Sequence, residues 1–223
     1  MILALDTSGP LGSVAVADDG DVLGRGILVQ QAGHASGLIP TIAAVLDDAG
    51  VDRGELTGLV IGEGPGSFTG VRVAAATAKG LSRALDLPLW PVSSLAAAAL
   101  AVEEGAVRYA LFDARAERVY GACYGVGGSQ IQTLLEPHAG ELRDVLEGAV
   151  PPGAVFVGDA SEKHRAAIEG AGFLVVLHEP EVLLADGLVR YWAAKPDGLA
   201  PVEDVGSWEP EYVRASSAER LWG

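Results

Sequence analysis

Apolar runs of strand length alternate with turn residues, give way to a helical period, and then the whole order repeats. Ile2-Leu3-Ala4-Leu5 leads into Asp6-Thr7-Ser8, a buried strand over 2–7 with an aspartate at its tip. Gly9-Pro10-Leu11-Gly12 is turn chemistry. Ser13 to Ala17 predicts a second strand and Val22 to Gln30 a third, an antiparallel hairpin series. Leu38, Ile42, Val45, Leu46 and Ala49 share one face of a helix over 36–49. Ser36 caps it, Pro40 sits in or near its first turn and Gly50 ends it. Asp47 and Asp48 oppose the dipole at its C-terminal end, so packing has to hold this helix.

A fourth strand, Thr57 to Ile61, feeds the run Gly62-Glu63-Gly64-Pro65-Gly66-Ser67-Phe68-Thr69-Gly70-Val71-Arg72. An Ala-rich helix over 69–85 follows, with Ser67 and Thr69 as natural N-caps. Its small side chains let a neighbouring helix approach to about 8 Å. Lys79 and Arg83 lie one turn apart on it, either on a solvated face or against a partner or anion. Leu87 to Val92 reads as a proline-bearing edge strand, and Leu95 to Glu104 as a third helix capped by Ser93 or Ser94.

After Gly105 the pattern restarts. Tyr109-Ala110-Leu111-Phe112-Asp113 matches the opening strand in length and in the place of its aspartate, and 119–124 matches the returning strand. A third strand (131–135) comes next, followed by a helix (141–147) and a strand (155–157). A helix (162–169), a strand (173–177) and a final helix (181–194) complete this half. The reading is α/β: two duplicated lobes of mixed sheet and helix, 1–105 and 106–223, the second ending in a Pro- and Gly-rich tail that either stays on its own lobe or docks back on the first. Trp208, Tyr212 and Trp222 are its candidate anchors.

Composition narrows the chemistry. Against 30 acidic residues stand 15 Lys and Arg, a formal charge of −15, which argues against a chain that grips nucleic acid itself. One cysteine, Cys123, excludes an internal disulfide and a Cys-based zinc site. Met1 runs straight into the first strand with no basic segment ahead, so no signal peptide is expected and a soluble cytoplasmic protein is.

The Gly-rich turn has two readings. Glycines before a helix N-terminus can cradle an anion, or they can serve a tight strand-to-helix turn. It is neither a Walker A loop, lacking Gly-Lys-Ser/Thr, nor a Gly-x-Gly-x-x-Gly fingerprint. Asp6 and Asp113 could face each other across a cleft and reach Mg2+ through water beside Thr7 and Ser8, or each could begin a turn. His34, His138, His164 and His178 never pair at i+3 or i+4, so no two-His metal face forms. No Gly-x-Ser-x-Gly elbow is present, and Cys123 reads as a small buried residue.

Gly64-Pro65-Gly66-Ser67-Phe68-Thr69-Gly70-Val71-Arg72 resembles the signature of the TsaB (YeaZ) family. Ile2 to Ser8 is similar to that family's first strand. His34, Leu38, Pro40 and Ile42 are similar to its His-Ser-x-x-Leu-x-Pro-x-Ile segment, Asp113-Ala114-Arg115 with Val119-Tyr120 to its second lobe, and Pro210-x-Tyr212-Val213-Arg214 to its tail. Two departures stand out: Ala35 follows His34, with serine delayed to Ser36, and Arg118 precedes Val119-Tyr120 where the family has Glu, with Glu117 one place earlier. One position turns a strand side chain to the other face, so no role of that Glu is carried over.

The resemblance implies lobes of the actin-like ATPase (ribonuclease H-like, ASKHA) type. It implies a non-catalytic scaffold for N6-threonylcarbamoylation of adenosine 37 in tRNAs reading codons that begin with A. Pairing would be with the catalytic paralogue TsaD, joined by the ATPase TsaE, with tRNA met indirectly through the complex and no membrane involved. Family pairing through the two first-lobe helices makes His34, Leu38, Ile42, Val45, Arg72, Ala75 and Lys79 the expected interface, with the apolar members partly exposed in the monomer and a homodimer in isolation. Asp6, Thr7, Ser8, Gly64, Gly66 and Ser67 make a vestigial nucleotide or anion site. No catalytic residue, metal or tightly bound cofactor is expected, and at most weak ATP or ADP. The rival readings are an ATP-binding phosphotransferase of the sugar-kinase type, using Asp6, Thr7 and the Gly64–Gly66 turn, and a metallopeptidase, which the scattered histidines count against.

Overall fold

The computed structural model describes residues 1–29, 34–128, 130–179 and 181–210, with the side chains of 29 and 34–36 left aside. Strands β1 (Ile2–Asp6), β2 (Leu11–Asp18) and β3 (Asp21–Val29) form the expected antiparallel meander, registered from Ile2↔Ala17 to Asp6↔Ser13 between the first two. On the other side of β1, strands β4 (Gly58–Gly62) and β5 (Leu89–Val92) add in parallel, giving the order β3-β2-β1-β4-β5. The second sheet repeats that order as β8-β7-β6-β9-β10. Its strands are β6 (Val107–Asp113), β7 (Arg118–Gly127), β8 (Gln130–Glu141), β9 (Ala154–Val157) and the two-residue β10 (Leu174–Val175).

Side-chain alternation along each central strand builds two cores per sheet. Leu3 and Leu5 pack with α1 (His34–Ala49) and α2 (Phe68–Leu85), while Ile2 and Ala4 face α3 (Ser94–Leu100) and α7 (Leu184–Ala194). In the second sheet Ala110 and Phe112 meet α3 from its other side. Tyr109 and Leu111 meet the layer of α4 (Leu142–Glu147), α5 (Asp159–Lys163) and α6 (Arg165–Gly170). So α3 and α7 lie between the two sheets. That position explains why every residue of α3 is buried and why most are alanine. It also explains Gly187, where a Cβ would overlap the carbonyl oxygen of Ala97. Helices α3 and α7 therefore pack closely here, backbone against backbone at Gly187 and Ala97.

Several predicted boundaries move for physical reasons. Helix α1 begins at His34, so Pro40 lies inside it and Ser36 is not its cap. Its end is as expected: Gly50 takes φ 67°, with Gly50 N–H donating to Asp47 and Val51 N–H to Leu46. Helix α3 stops at Leu100, because the carbonyls of Ala99 and Val102 are taken by the Arg108 guanidinium. The helix expected over 162–169 is two short ones meeting at His164. Helix α7 packs mainly on β1 and β2 of the first sheet, and its buried Asp186 receives the Arg25 guanidinium of β3 at 2.7 Å.

The tail then crosses the first sheet's edge. Val202 N–H donates to Leu89 of β5 at 2.8 Å. Val202, Val205 and Trp208 pack on the first core. The expected anchors Tyr212 and Trp222, with Val213 and Arg214, lie outside the described residues. No helix among the described residues is long and apolar enough to cross a membrane.

Candidate functional site

The Gly-rich turn runs from the end of β4 to α2, and the residues expected to face a ligand are spent on holding it. Asp6 and Thr7 are 0% exposed and Ser8 is 3%. Asp6 Oδ1 accepts from the Ser8 N–H and hydroxyl, each at 2.7 Å, and its Oδ2 accepts from the Ser94 hydroxyl at 2.6 Å. Ser94 Oγ accepts in turn from the Gly64 N–H, and the Gly64 carbonyl accepts from the Ser94 N–H. Thr7 donates its hydroxyl to Gly70 at 2.6 Å, and Ser67 N–H donates to Ser8. Ser67 caps α2 by accepting from Gly70 N–H at 3.3 Å. Added side chains at Gly62 and Gly70 would overlap Asp6 Oδ2 and the Thr7 carbonyl. These glycines admit the tip of β1, and Asp6 is enclosed beneath the turn.

Asp113, its counterpart on β6, is likewise turned into its own half. It accepts from Lys163 Nζ at 2.9 Å and from Arg115 N–H at 3.0 Å. Burial acts to raise its carboxyl, but Lys163 and that N–H together hold it below the usual carboxylate range. Arg115, Ala116 and Glu117 all take left-handed backbone, φ 61°, 51° and 60°, in the turn between β6 and β7. Behind Asp113, Asp159 accepts from Asp113 N–H at 3.3 Å and from Ala160 N–H at 2.9 Å. Burial pushes its carboxyl above the usual range despite those donors.

The two carboxyls have opposite consequences for stability. A raised folded pKa gives stability that is full below the unfolded value and falls as pH rises through the folded one. For Asp113 the lowered pKa gives stability present above the unfolded value and lost as pH drops through the folded one. Asp159→Asn keeps an acceptor for both N–H groups and removes the titration. It is expected to raise the melting temperature more at about pH 7 than at about pH 4. Thermal melts across that range check this, and an equal shift at both ends contradicts it.

Among the described residues no group of three His, Cys, Asp or Glu is placed to hold a metal ion. Cys123 is fully buried and its thiol is pushed up to about 11 by burial.

The expected interface residues divide. Leu38, Ile42, Val45 and Ala75 are 0–5% exposed and belong to the first core, so they are not partly exposed as anticipated. Lys79 is engaged by the tail, 3.0 Å from Glu209 and over the Trp208 ring. Arg72 is exposed and lies over the Phe68 ring at 4.1 Å. The side chain of His34 lies outside the described residues. What the two helices present outward is a neighbouring stripe. Ile39 of α1, 51% exposed, and Val73, Ala76, Thr77, Gly80 and Leu81 of α2 line an open groove of about 400 Å3. Exposed Ala43 lies one turn along α1 from Ile39. The signal was in the sequence: 73, 76/77 and 80/81 keep helical spacing, but small residues weigh little in an apolar pattern.

Two sheets of identical strand order enclosing a helical layer place the chain in a known class. Component A of (R)-2-hydroxyglutaryl-CoA dehydratase from Acidaminococcus fermentans is similar over 87% of the chain, with TM-score 0.55 and 12% identity. That likeness shows the fold alone, a mixed α/β architecture. The family described as TsaD, tRNA N6-adenosine threonylcarbamoyltransferase, matches residues 25–176. YeaZ from Pseudomonas aeruginosa superposes with TM-score 0.76 and 28% identity over 95% of this chain and 98% of that one. The Bacillus subtilis tRNA threonylcarbamoyladenosine biosynthesis protein TsaB is 28% identical over 99% of the chain and 97% of its own length. An uncharacterised Mycobacterium tuberculosis protein is 32% identical over 99% and 94%. The chain belongs to the TsaB (YeaZ) family.

Proposed function

We propose that this chain is a non-catalytic subunit required for threonylcarbamoylation of tRNA adenosine, acting by pairing with a TsaD-type paralogue and with the ATPase TsaE. The observation that carries this reading is the exposed stripe across α1 and α2, of small and apolar residues around Ile39, Ala76 and Gly80. Small residues on paired helices admit another helix pair at short distance, and a contiguous apolar stripe favours burial. The names of the relatives supply the pathway: TsaB of Bacillus subtilis, Haemophilus influenzae and Escherichia coli are each described as tRNA threonylcarbamoyladenosine biosynthesis proteins. A two-fold homodimer through the same stripe fits the isolated chain.

The finer reading takes the halves 1–105 and 106–223 as actin-like lobes whose nucleotide site has closed. Asp6, Thr7 and Ser8 stitched to the Gly-rich turn support that, and at most weak ATP or ADP binding remains. A chain of charge −15 fits tRNA being gripped by partners.

Reconstitution tests the proposal. TsaD, TsaE, tRNA and the threonylcarbamoyl donor are expected to modify tRNA only when this chain is added, and the chain alone is expected to modify none. Full modification without it, or modification by it alone, refutes the reading.

A further inference from the structure

A second cleft lies at the opposite end of the sheets from Asp6 and Asp113. It encloses about 630 Å3 where the chain passes from α3 into β6, a volume within the roughly 300–1,000 Å3 of small-molecule sites. Arg108 and Arg190 line it, with apolar wall from Leu100, Val126 and Ala194.

Of the two guanidiniums, Arg108 has no ion pair among the described residues and Arg190 has one exposed partner. Arg108 is 6% exposed and donates to four carbonyl oxygens: Gly105 from Nε, Ala99 and Val102 from Nη1, Glu103 from Nη2, at 2.7–2.9 Å. An arginine has five N–H groups, so one on Nη2 is left over. Among the described residues no carboxylate forms an ion pair with Arg108. Arg190 gives Nη1 to Leu100 at 2.8 Å and has the Glu103 carboxylate 3.6 Å from Nη2. That glutamate is 85% exposed, a surface group rather than a buried partner, and its charge and that of Glu104 act on Arg108 without a direct ion pair. Burial first, then the neighbouring charge of Arg190, lowers the pKa of Arg108.

Capping the C-terminal carbonyls of α3 explains the carbonyl contacts, and it explains neither the open volume nor two cations sharing it. A buried charge ordinarily has a paired opposite charge. We infer that the cleft binds a small organic or inorganic oxyanion, a carboxylate or phosphate with at most a short apolar body, bridging Arg108 and Arg190 and displacing Glu103. Such a ligand would sit between the end of α3, the end of β7 and α7, and so brace the junction of the two sheets.

Calorimetric titration of the full chain at fixed ionic strength decides this. The probes are inorganic phosphate, succinate and the neutral analogue succinamide. At least one anion is expected to bind at one site per chain and the amide not at all. Arg190→Gln is expected to weaken that binding about tenfold or more, equivalent to about 1.4 kcal/mol. Ala194→Trp, which fills the cleft while both arginines stay in the chain, is expected to abolish it, and it decides the matter should Arg190→Gln not fold. No binding of either anion, or binding by Ala194→Trp equal to that of the unaltered chain, overturns the inference.

Discussion

Leu38→Glu is expected to unfold this protein, whereas Ile39→Glu, one residue along the same helix, is expected to leave it folded and unable to pair. Leu38 is 0% exposed in the core between α1 and the first sheet. Losing a buried leucine there costs about 2–5 kcal/mol, and the glutamate adds an unpaired buried charge, against a total stability of about 5–15 kcal/mol. Ile39 points the other way, 51% exposed into the groove with Ala76 and Gly80. A surface change of that kind moves stability by about 0.5 kcal/mol or less. On the proposed pairing surface the same charge would be buried against the TsaD-type partner. Affinity is expected to fall about thirtyfold or more, as loss of an interface hot spot of about 2 kcal/mol would give. Urea unfolding and calorimetry with the paralogue, run on both variants, read the two effects separately. Undiminished binding by folded Ile39→Glu excludes this face.

The contrast also shows what helical periodicity conveys. Spacing groups Leu38, Ile42 and Val45 correctly on one face of α1, but a period cannot say whether that face meets the chain's own sheet or a partner. The fold does: Leu38, Ile42 and Val45 fill the core together with Ala74, Ala75 and Ala78, and Ile39, Ala43, Ala76 and Gly80 are left outside. The strand repeat was legible for a related reason. The unbroken apolar runs Ile2 to Leu5 and Tyr109 to Phe112 reflect burial on both faces, and the structure resolves it into two cores per sheet. Contacts distant in sequence left no local trace. Lys79 reaches Glu209 across 130 residues, and Arg25 reaches Asp186 across 161. The position of α3 and α7 between the sheets was visible only as an excess of alanine in α3, which suits a crowded helix and a merely helix-prone one equally.

Asp6→Ala is expected to destabilise the fold by about 3–5 kcal/mol, since each buried donor left without an acceptor costs about 1–3 kcal/mol. Three would be orphaned: the Ser8 N–H, the Ser8 hydroxyl and the Ser94 hydroxyl. Because Ser94, 88 residues from Asp6, also holds Gly64, the loss would loosen the Gly-rich turn and with it the start of α2. Asp6→Asn tests this explanation further. It keeps one carbonyl oxygen for Ser8 but presents an amide to Ser94, so its cost is expected to lie between those of Ala and the native residue. A phosphotransferase that used Asp6 to reach a metal-bound nucleotide would behave differently: Asp6→Ala would spare stability and remove ATP binding or turnover. Urea unfolding beside nucleotide titration on these variants separates the two. Unchanged stability of Asp6→Ala would mean that the aspartate is not the staple its hydrogen bonds describe. The expected loss, graded from Ala through Asn, would place the residue that most resembles a catalytic acid in the service of the helix that carries the partner face.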